Sequence, residues 1–190
     1  MGAIIVTGIP GVGKTTVMEA AAKAKGLEIV NFGTAMYKVA HARGWANDRD
    51  DMRKMPPSQQ REAQKAAAKA IAGMGDVIVD THCTVKTQTG YLPGLPSWVL
   101  AELEPSVIVL VEAKPEDIFR RRSNDASRHR DIDSVEAIKE HQEYNRRFAA
   151  AYATLTGATV HTIHNREGQV EDAMRQILPV VDHVVSAKVR

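Results

Sequence analysis

Five short apolar runs separated by helical stretches predict an α/β fold of three layers, a five-stranded parallel sheet flanked by helices. The runs are Ala3 to Thr7, Glu28 to Asn31, Asp76 to Asp80, Ser106 to Val111 and Ala158 to Ile163. Each is strand length and rich in Val and Ile with little polar alternation, the pattern of strands covered on both faces. Strand and helix alternate along the whole chain, which argues for a parallel sheet. At 190 residues and 44% hydrophobic content, with no internal repeat or low-complexity linker, the chain reads as one domain, residues 1–190.

The helices follow from their punctuation. The first should begin near Lys14 and end at Gly26, a natural C′ residue. A short helix follows Gly33 and stops near Gly44. Pro56-Pro57-Ser58 offers a start, with Ser58 as cap, for an Ala-rich helix reaching about Ala72 before Gly73 and Gly75. Pro115 opens another, with Glu116 and Asp117 in the first turn, where they suit the helix dipole. Asp133 with Glu136 resembles a capping box for a long helix whose stripe runs from Ile138 through Tyr152 to Leu155. The last helix carries Val170, Ala173, Ile177, Val181 and Val184 on one face, and Pro179 should kink or split it.

Composition excludes several classes. The lone Cys83 cannot close an intrachain bridge, so a secreted disulfide scaffold is excluded and the reducing cytoplasm is the expected compartment. Twenty-five Lys and Arg against 23 Asp and Glu give a net charge of +2, which offers no argument for nucleic acid. No run approaches the roughly 18 apolar residues of a membrane span, and the N-terminus reads as a strand rather than a signal peptide.

The strongest chemical signal is Gly8-Ile9-Pro10-Gly11-Val12-Gly13-Lys14-Thr15, a full match to G-x-x-x-x-G-K-[S/T]. It follows a strand and precedes a helix, so the backbone amides around Gly11 to Thr16 can converge on phosphate oxygens at a helix N-terminus. That context separates it from an ordinary Gly-rich turn. Lys14 supplies mobile positive charge to the β and γ phosphates, and the Thr15 hydroxyl is a ligand for Mg²⁺. The matching magnesium-side carboxylate is expected at the end of a neighbouring strand, where Asp80 closes Val77-Ile-Val-Asp80.

A phosphate loop alone leaves switch, motor and kinase open. Guanine-specific switches need an Asn-Lys-x-Asp base reader, which is absent, and the chain is short for a motor. After the fourth strand come Arg120, Arg121 and Arg122, then Arg128 and Arg130 among Asp125, Asp131 and Asp133. Phosphoryl transfer needs charge neutralisation above all, so an Arg-rich lid over the polyphosphate, about residues 124–133, fits the chemistry. The interleaved acids argue against a nucleic-acid patch and could hold the arginines while the lid is open.

Taken together, the phosphate loop, Asn31-Phe-Gly-Thr-Ala-Met36, Asp50-Asp-Met-Arg53-Lys-Met, Val79-Asp-Thr-His82, Lys86-Thr with Gly90-Tyr-Leu-Pro-Gly-Leu-Pro96, Arg121-Arg-x-Asn-Asp-x-x-Arg-x-Arg-Asp131 and Leu155-Thr-Gly-Ala-Thr159 resemble the archaeal type of adenylate kinase over nearly the whole chain. That resemblance implies ATP plus AMP giving two ADP, with Mg²⁺, in a cytoplasmic enzyme of a type that is typically a homotrimer; the charge balance and the lack of a long apolar run add the expectation of no nucleic-acid and no membrane partner. The resemblance also implies that Gly8, Ile9, Pro10, Gly11, Val12, Gly13, Lys14, Thr15 and Thr16 hold the ATP phosphates. Thr34 then lies in a helical acceptor region, about 34–72, and Arg53 is a candidate for the AMP phosphate. Arg122, Arg128 and Arg130 become the lid charges that act with Lys14 in catalysis.

The chain departs from the bacterial and eukaryotic pattern, in which the acid after the third strand leads into Gly, an aromatic, Pro and Arg. Here Asp80 leads into Thr81-His82-Cys83, so the role of that Arg passes to another group, Lys86 or Arg53. His82 could face the acceptor. His161 and His164, three apart on a strand, point to opposite faces and make poor metal partners. Cys83 reads as a small, partly buried residue rather than a nucleophile. The apolar stretch from Gly90 to Trp98 either walls the acceptor pocket, contacts another subunit or packs on its own domain. Two rival functions remain, a kinase for UMP or CMP and a nucleotide-dependent RNA-binding module.

Overall fold

A computed structural model describes residues 3–124 and 133–186. β1 (Ile4–Thr7) leads into α1 (Lys14–Lys25), and β2 (Glu28–Asn31) into α2 (Phe32–Ala42). Two further helices, α3 (Asp51–Lys54) and α4 (Pro57–Ala72), precede β3 (Val77–Asp80). A hairpin of β4 (Thr84–Thr87) and β5 (Gly90–Pro93) follows, then α5 (Ser97–Leu103), β6 (Val107–Glu112) and α6 (Pro115–Asn124). The chain continues through α7 (Val135–Thr156) and β7 (Thr159–His164) to α8 (Val170–Ser186).

The five expected strands form one sheet in the order β2-β3-β1-β6-β7, with every pairing parallel. Alternation along β1 shows why the sheet is covered on both faces. Ile4 and Val6 enter one core with Val17 and Met18 of α1 and Ile177 and Val181 of α8. Ile5 enters the other, with Ile71 of α4, Val99 of α5 and Tyr152 of α7. Each such side chain contributes about 1.5–3 kcal/mol on burial, so both faces drive the three-layer packing. β1 lies between β3 and β6. The loop leaving its C-terminal end therefore opens beside the ends of both neighbours, where parallel α/β sheets bind ligands.

Several local expectations are corrected. Of the kink or split expected at Pro179, the split does not occur: α8 runs through it, with Pro179 on the exposed side while Ala173, Ile177, Val181 and Val184 are buried along the other. Ser58 is not a cap. Pro57 takes the first helical position of α4 after Pro56, a place where the missing N–H costs nothing. Ser134 rather than Asp133 caps α7, its hydroxyl accepting from the Ala137 N–H. The apolar stretch from Gly90 to Trp98 is divided: Trp98 falls in α5, and Gly90–Pro93 pairs with Thr84–Thr87 in an antiparallel hairpin. Its two faces differ: Tyr91 stacks on Tyr144 of α7 at 4.2 Å between centroids, while the cross-strand pair Val85 and Leu92 remains exposed. Among the described residues no helix is long and apolar enough to cross a membrane.

Candidate active site

The phosphate loop needs its glycines for separate reasons. Gly11 and Gly13 have φ of 84° and 82°, a conformation other L-residues adopt at a cost. A Cβ on Gly8 would sit 2.6 Å from the Val111 carbonyl oxygen, and one on Gly13 would sit 2.2 Å from Asn165 Nδ2. That asparagine is a structural tie the sequence did not reveal. It follows β7, is buried, and its Nδ2 donates to the Val12 carbonyl at 2.8 Å. Arg121 donates to the same carbonyl at 3.3 Å, and Arg122 Nε donates to the Pro10 carbonyl at 2.9 Å. Side chains from distant segments thus clamp the outside of the loop.

Lys14 starts α1 and crosses to β3. Its ammonium donates to Asp80 Oδ1 and, at 2.9 Å, to the Thr81 carbonyl. The neighbouring strand end completes the arrangement, because the register places Asn31 beside Asp80. Asn31 Nδ2 donates to Asp80 Oδ2 at 2.8 Å, while Asn31 Oδ1 caps α2 by accepting from the Thr34 N–H at 2.9 Å and its hydroxyl at 3.0 Å. Arg49 in turn donates to Thr34 Oγ1. A continuous polar chain, Lys14–Asp80–Asn31–Thr34–Arg49, therefore leads from the phosphate loop toward α2 and α4.

Two cavities flank this chain. The smaller, about 360 Å³, is lined by Lys14, Asn31, Arg49, Gln60, Gln64 and Leu92 among others. The larger, about 710 Å³, lies between Pro10 of the loop and the hairpin, with Arg53, Lys86, Arg122, Asp133 and His141 on its walls. His82 lines both. Thr34 thus stands beside the small cavity through Arg49, whereas Arg53 and Lys86 face the large one. Arg53 is well solvated, its side chain 86% exposed. Thr15 and Thr16, at the start of α1, are exposed. Arg128 and Arg130, and the proposed lid from residue 125 to 132, lie outside the described residues.

Arg122 is almost covered, with 5% of its side chain exposed, and Asp133 Oδ2 accepts from its Nη1 at 2.9 Å. Lys86 Nζ donates to the other oxygen of the same carboxylate at 2.7 Å. Burial alone would raise the Asp133 pKa, but the hydrogen bonds and charges of Lys86 and Arg122 outweigh it and hold the carboxyl below the ordinary range. Behind this triad, His141 touches Thr84 Oγ1 at 3.1 Å, and burial depresses its pKa. Cys83 is buried, its thiol pushed up to about 12 by desolvation, and its Sγ donates to the Asn145 carbonyl at 3.3 Å. Burial and the raised pKa keep it in the thiol form, which argues against a nucleophilic role.

The sequence missed Arg49, Gln60, Gln64 and Asn165. Gln60 and Gln64 carried a usable signal, since two amides one turn apart on an Ala-rich helix share a face. Arg49 and Asn165 carried none.

A phosphate loop at the end of the central strand, a cation-bearing carboxylate beside it and a second pocket linked to both define a P-loop phosphotransferase. Residues 7–139 match the family model described as an AAA domain. The chain belongs to the archaeal adenylate kinase family: it is 52% identical to the adenylate kinase of Thermoplasma acidophilum over 93% of this chain and 97% of that one. It is 51% identical to that of Methanopyrus kandleri over 94% and 96%, and 48% identical to that of Methanothermobacter thermautotrophicus over 96% and 100%. Among solved structures it resembles the shikimate kinase of Bacteroides thetaiotaomicron, with a TM-score of 0.60 at 15% identity over 95% and 98% of the two chains. The shikimate kinase of Acinetobacter baumannii gives 0.59 at 14% identity, over 100% of this chain and 96% of that one. These two likenesses concern the fold alone.

Proposed function

We propose that the enzyme transfers the γ-phosphoryl group of ATP to the phosphate of AMP, reversibly, to give two ADP. The observation that carries this reading is the polar chain from Lys14 through Asp80, Asn31 and Thr34 to Arg49, which joins the phosphate loop to the second pocket. Two nucleotides bound on either side of it would present their phosphates to each other. Gly8 to Thr16 take the donor phosphates, with amides at the start of α1 directed to the anion. Lys14 exchanges Asp80 for the β and γ phosphates and neutralises charge where it develops.

Arg122, held at the loop rim by Pro10 and Asp133, adds a second positive charge on that side, and Arg128 and Arg130 are proposed to complete it from the lid. Acceptor AMP occupies the smaller cavity, with Arg49 and Thr34 near its phosphate and His82 where the two cavities meet. Arg53 and Lys86 guard the larger cleft.

The donor set near the loop suits Mg²⁺. Asp80 and the Thr15 hydroxyl are hard oxygen ligands, and Asp80 already holds one cation, the Lys14 ammonium. Among the described residues no cluster of three His, Cys, Asp or Glu side chains that could hold a metal exists, so the ion would rely on nucleotide oxygens and water for the rest of its shell. When bound it supplies charge neutralisation on the phosphates.

A cytoplasmic location and a homotrimeric assembly complete the proposal. They rest on the family resemblance, with exposed Leu155 and Val160 as apolar surface that an assembly would cover. Sedimentation equilibrium tests the trimer, and a mass near the 20.8 kDa of one chain rejects it.

The deciding experiment is a coupled assay of ADP formation from ATP and AMP with Mg²⁺, repeated with UMP and CMP. Preferential use of UMP or CMP would make this a different nucleoside monophosphate kinase. Salt-sensitive RNA binding without ADP formation would favour a binding module.

A further inference from the structure

Gln60 and Gln64 stand one turn apart on α4, so their side chains cover the same stretch of helix surface. Both line the 360 Å³ cavity. Each amide is tied at one end. Gln60 Nε2 donates to the Met55 carbonyl at 2.9 Å. Gln64 Oε1 accepts from the indole Nε1 of Trp98, also at 2.9 Å. An indole N–H can only donate and a backbone carbonyl can only accept, so chemistry sets both amide orientations. Trp98 is not among the cavity walls. The tied end of Gln64 therefore points away from the cavity, and its NH₂ is the end left for a ligand, whereas Gln60 leaves its Oε1.

These free ends form a donor beside an acceptor. A 6-aminopurine has the complementary edge, an exocyclic amine that donates and a ring N1 that accepts. A 6-oxopurine reverses both, with an oxygen at position 6 and a proton on N1. Bound in the pose that lets Gln60 Oε1 accept from the 6-amine and Gln64 NH₂ donate to N1, a 6-oxopurine would make each tied glutamine meet a group of its own kind. Gln64 could answer by turning over, but that would set its NH₂ against the Trp98 N–H. The guanidinium of Arg61, 4.4 Å above the indole ring, helps keep that ring in place.

We propose that Trp98 is a positioning residue: by holding Gln64 Oε1 it presents the Gln64 NH₂ next to Gln60 Oε1 and so makes the acceptor pocket select a 6-aminopurine monophosphate over a 6-oxopurine one. This deepens the reading of the small cavity as the AMP site and rests on it.

The test compares kcat/KM for AMP and IMP, with ATP as donor, in the wild type and two variants. Trp98→Phe keeps a ring for Arg61 but removes the N–H. It should raise the KM for AMP by about tenfold, lower the AMP-to-IMP ratio by about tenfold, and shift the KM for ATP by less than about twofold, the scale of one lost hydrogen bond confined to one substrate. Gln64→Glu offers acceptors only, one held by Trp98 and the other facing the ligand, and should move preference toward IMP, whose N1 carries a proton. An unchanged AMP-to-IMP ratio in both variants overturns the proposal, as does an equal rise in both Michaelis constants for Trp98→Phe. A wild type that forms no ADP from AMP ends the parent reading and this one together, and that result comes before either variant is needed.

Discussion

The ammonium of Lys14, the first residue of α1, bonds the carboxylate of Asp80, the last residue of β3, 66 positions further along the chain. The pair lies at the C-terminal edge of the sheet, where the phosphate loop and the smaller cavity meet. In the proposed reaction a phosphate displaces the carboxylate, and until then the pair holds the positive charge in place.

Replacing Lys14 with Ala should therefore reduce kcat by about 10²- to 10³-fold, the scale of removing one preorganised charge donor from a transition state. Thermal unfolding should move little by comparison, because Asp80 keeps its bond from Asn31. A folded variant with near wild-type turnover would refute the role.

Asp80→Asn should weaken the magnesium dependence of turnover, since it removes the carboxylate proposed to face the ion while keeping the side chain's size. A magnesium titration that superimposes on the wild type would exclude Asp80 from that role.

Arg49→Ala should raise the KM for AMP by about tenfold, more than it raises that for ATP and more than Arg53→Ala does. Arg49 lines the small cavity and bonds Thr34, whereas Arg53 is 86% exposed on the larger cleft. Steady-state kinetics with each nucleotide varied separately decide the matter, and a larger AMP effect from Arg53→Ala would reverse the assignment.

Asp133 predicts a pH dependence of stability. Its pKa lies below the ordinary 3.8 in the folded chain because Lys86 and Arg122 favour its charged form. The native state therefore binds the proton less readily than the unfolded chain does. The stabilisation is complete above about pH 5, well past the unfolded value, and is lost as pH falls through the folded one. His141 and Tyr91 also face this carboxylate. Denaturant midpoints of wild type and Asp133→Asn should differ near pH 6 and converge as pH drops below about 3. A difference independent of pH would mean that the Asp133 charge is not what stabilises the site.

Gly94→Ala should destabilise the protein by about 1–3 kcal/mol, the usual cost of overpacking. A Cβ there would lie 1.9 Å from the His82 carbonyl oxygen and 2.9 Å from that of Cys83, both of them backbone atoms. The strain falls where β5 returns past the Asp80 strand, so the KM for AMP should rise with it. Chemical denaturation and AMP kinetics on the same variant test the coupling.

Much of this molecule is legible along the chain. Five strands appear at the expected runs because strands buried on both faces need continuous apolar residues. The phosphate loop is legible because it is local: its amides, Lys14 and Thr15 lie within one turn of α1. Gly26 ends α1 with φ of 65° as a C′ glycine should. The errors also have physical causes. Pro179 stays in a continuous helix because the buried face of α8 outweighs one missing bond. Asp133 looked like a cap because an acid three residues before Glu136 fits that pattern, but its carboxylate is claimed by Lys86 and Arg122 from other elements.

The amino-acid order alone thus specified the layers, the sheet class and the phosphate loop, all of which follow from periodicities and turn chemistry acting over a few residues. The partners of that loop were decided by folding. Asn31 meets Asp80 because β2 pairs with β3 in one register. Asn165 reaches Val12 across 153 positions, and Trp98 reaches Gln64 because α5 packs against α4. Strand order and helix packing set these contacts through the burial of whole faces, and no local pattern encodes which polar side chains are carried together when those faces close.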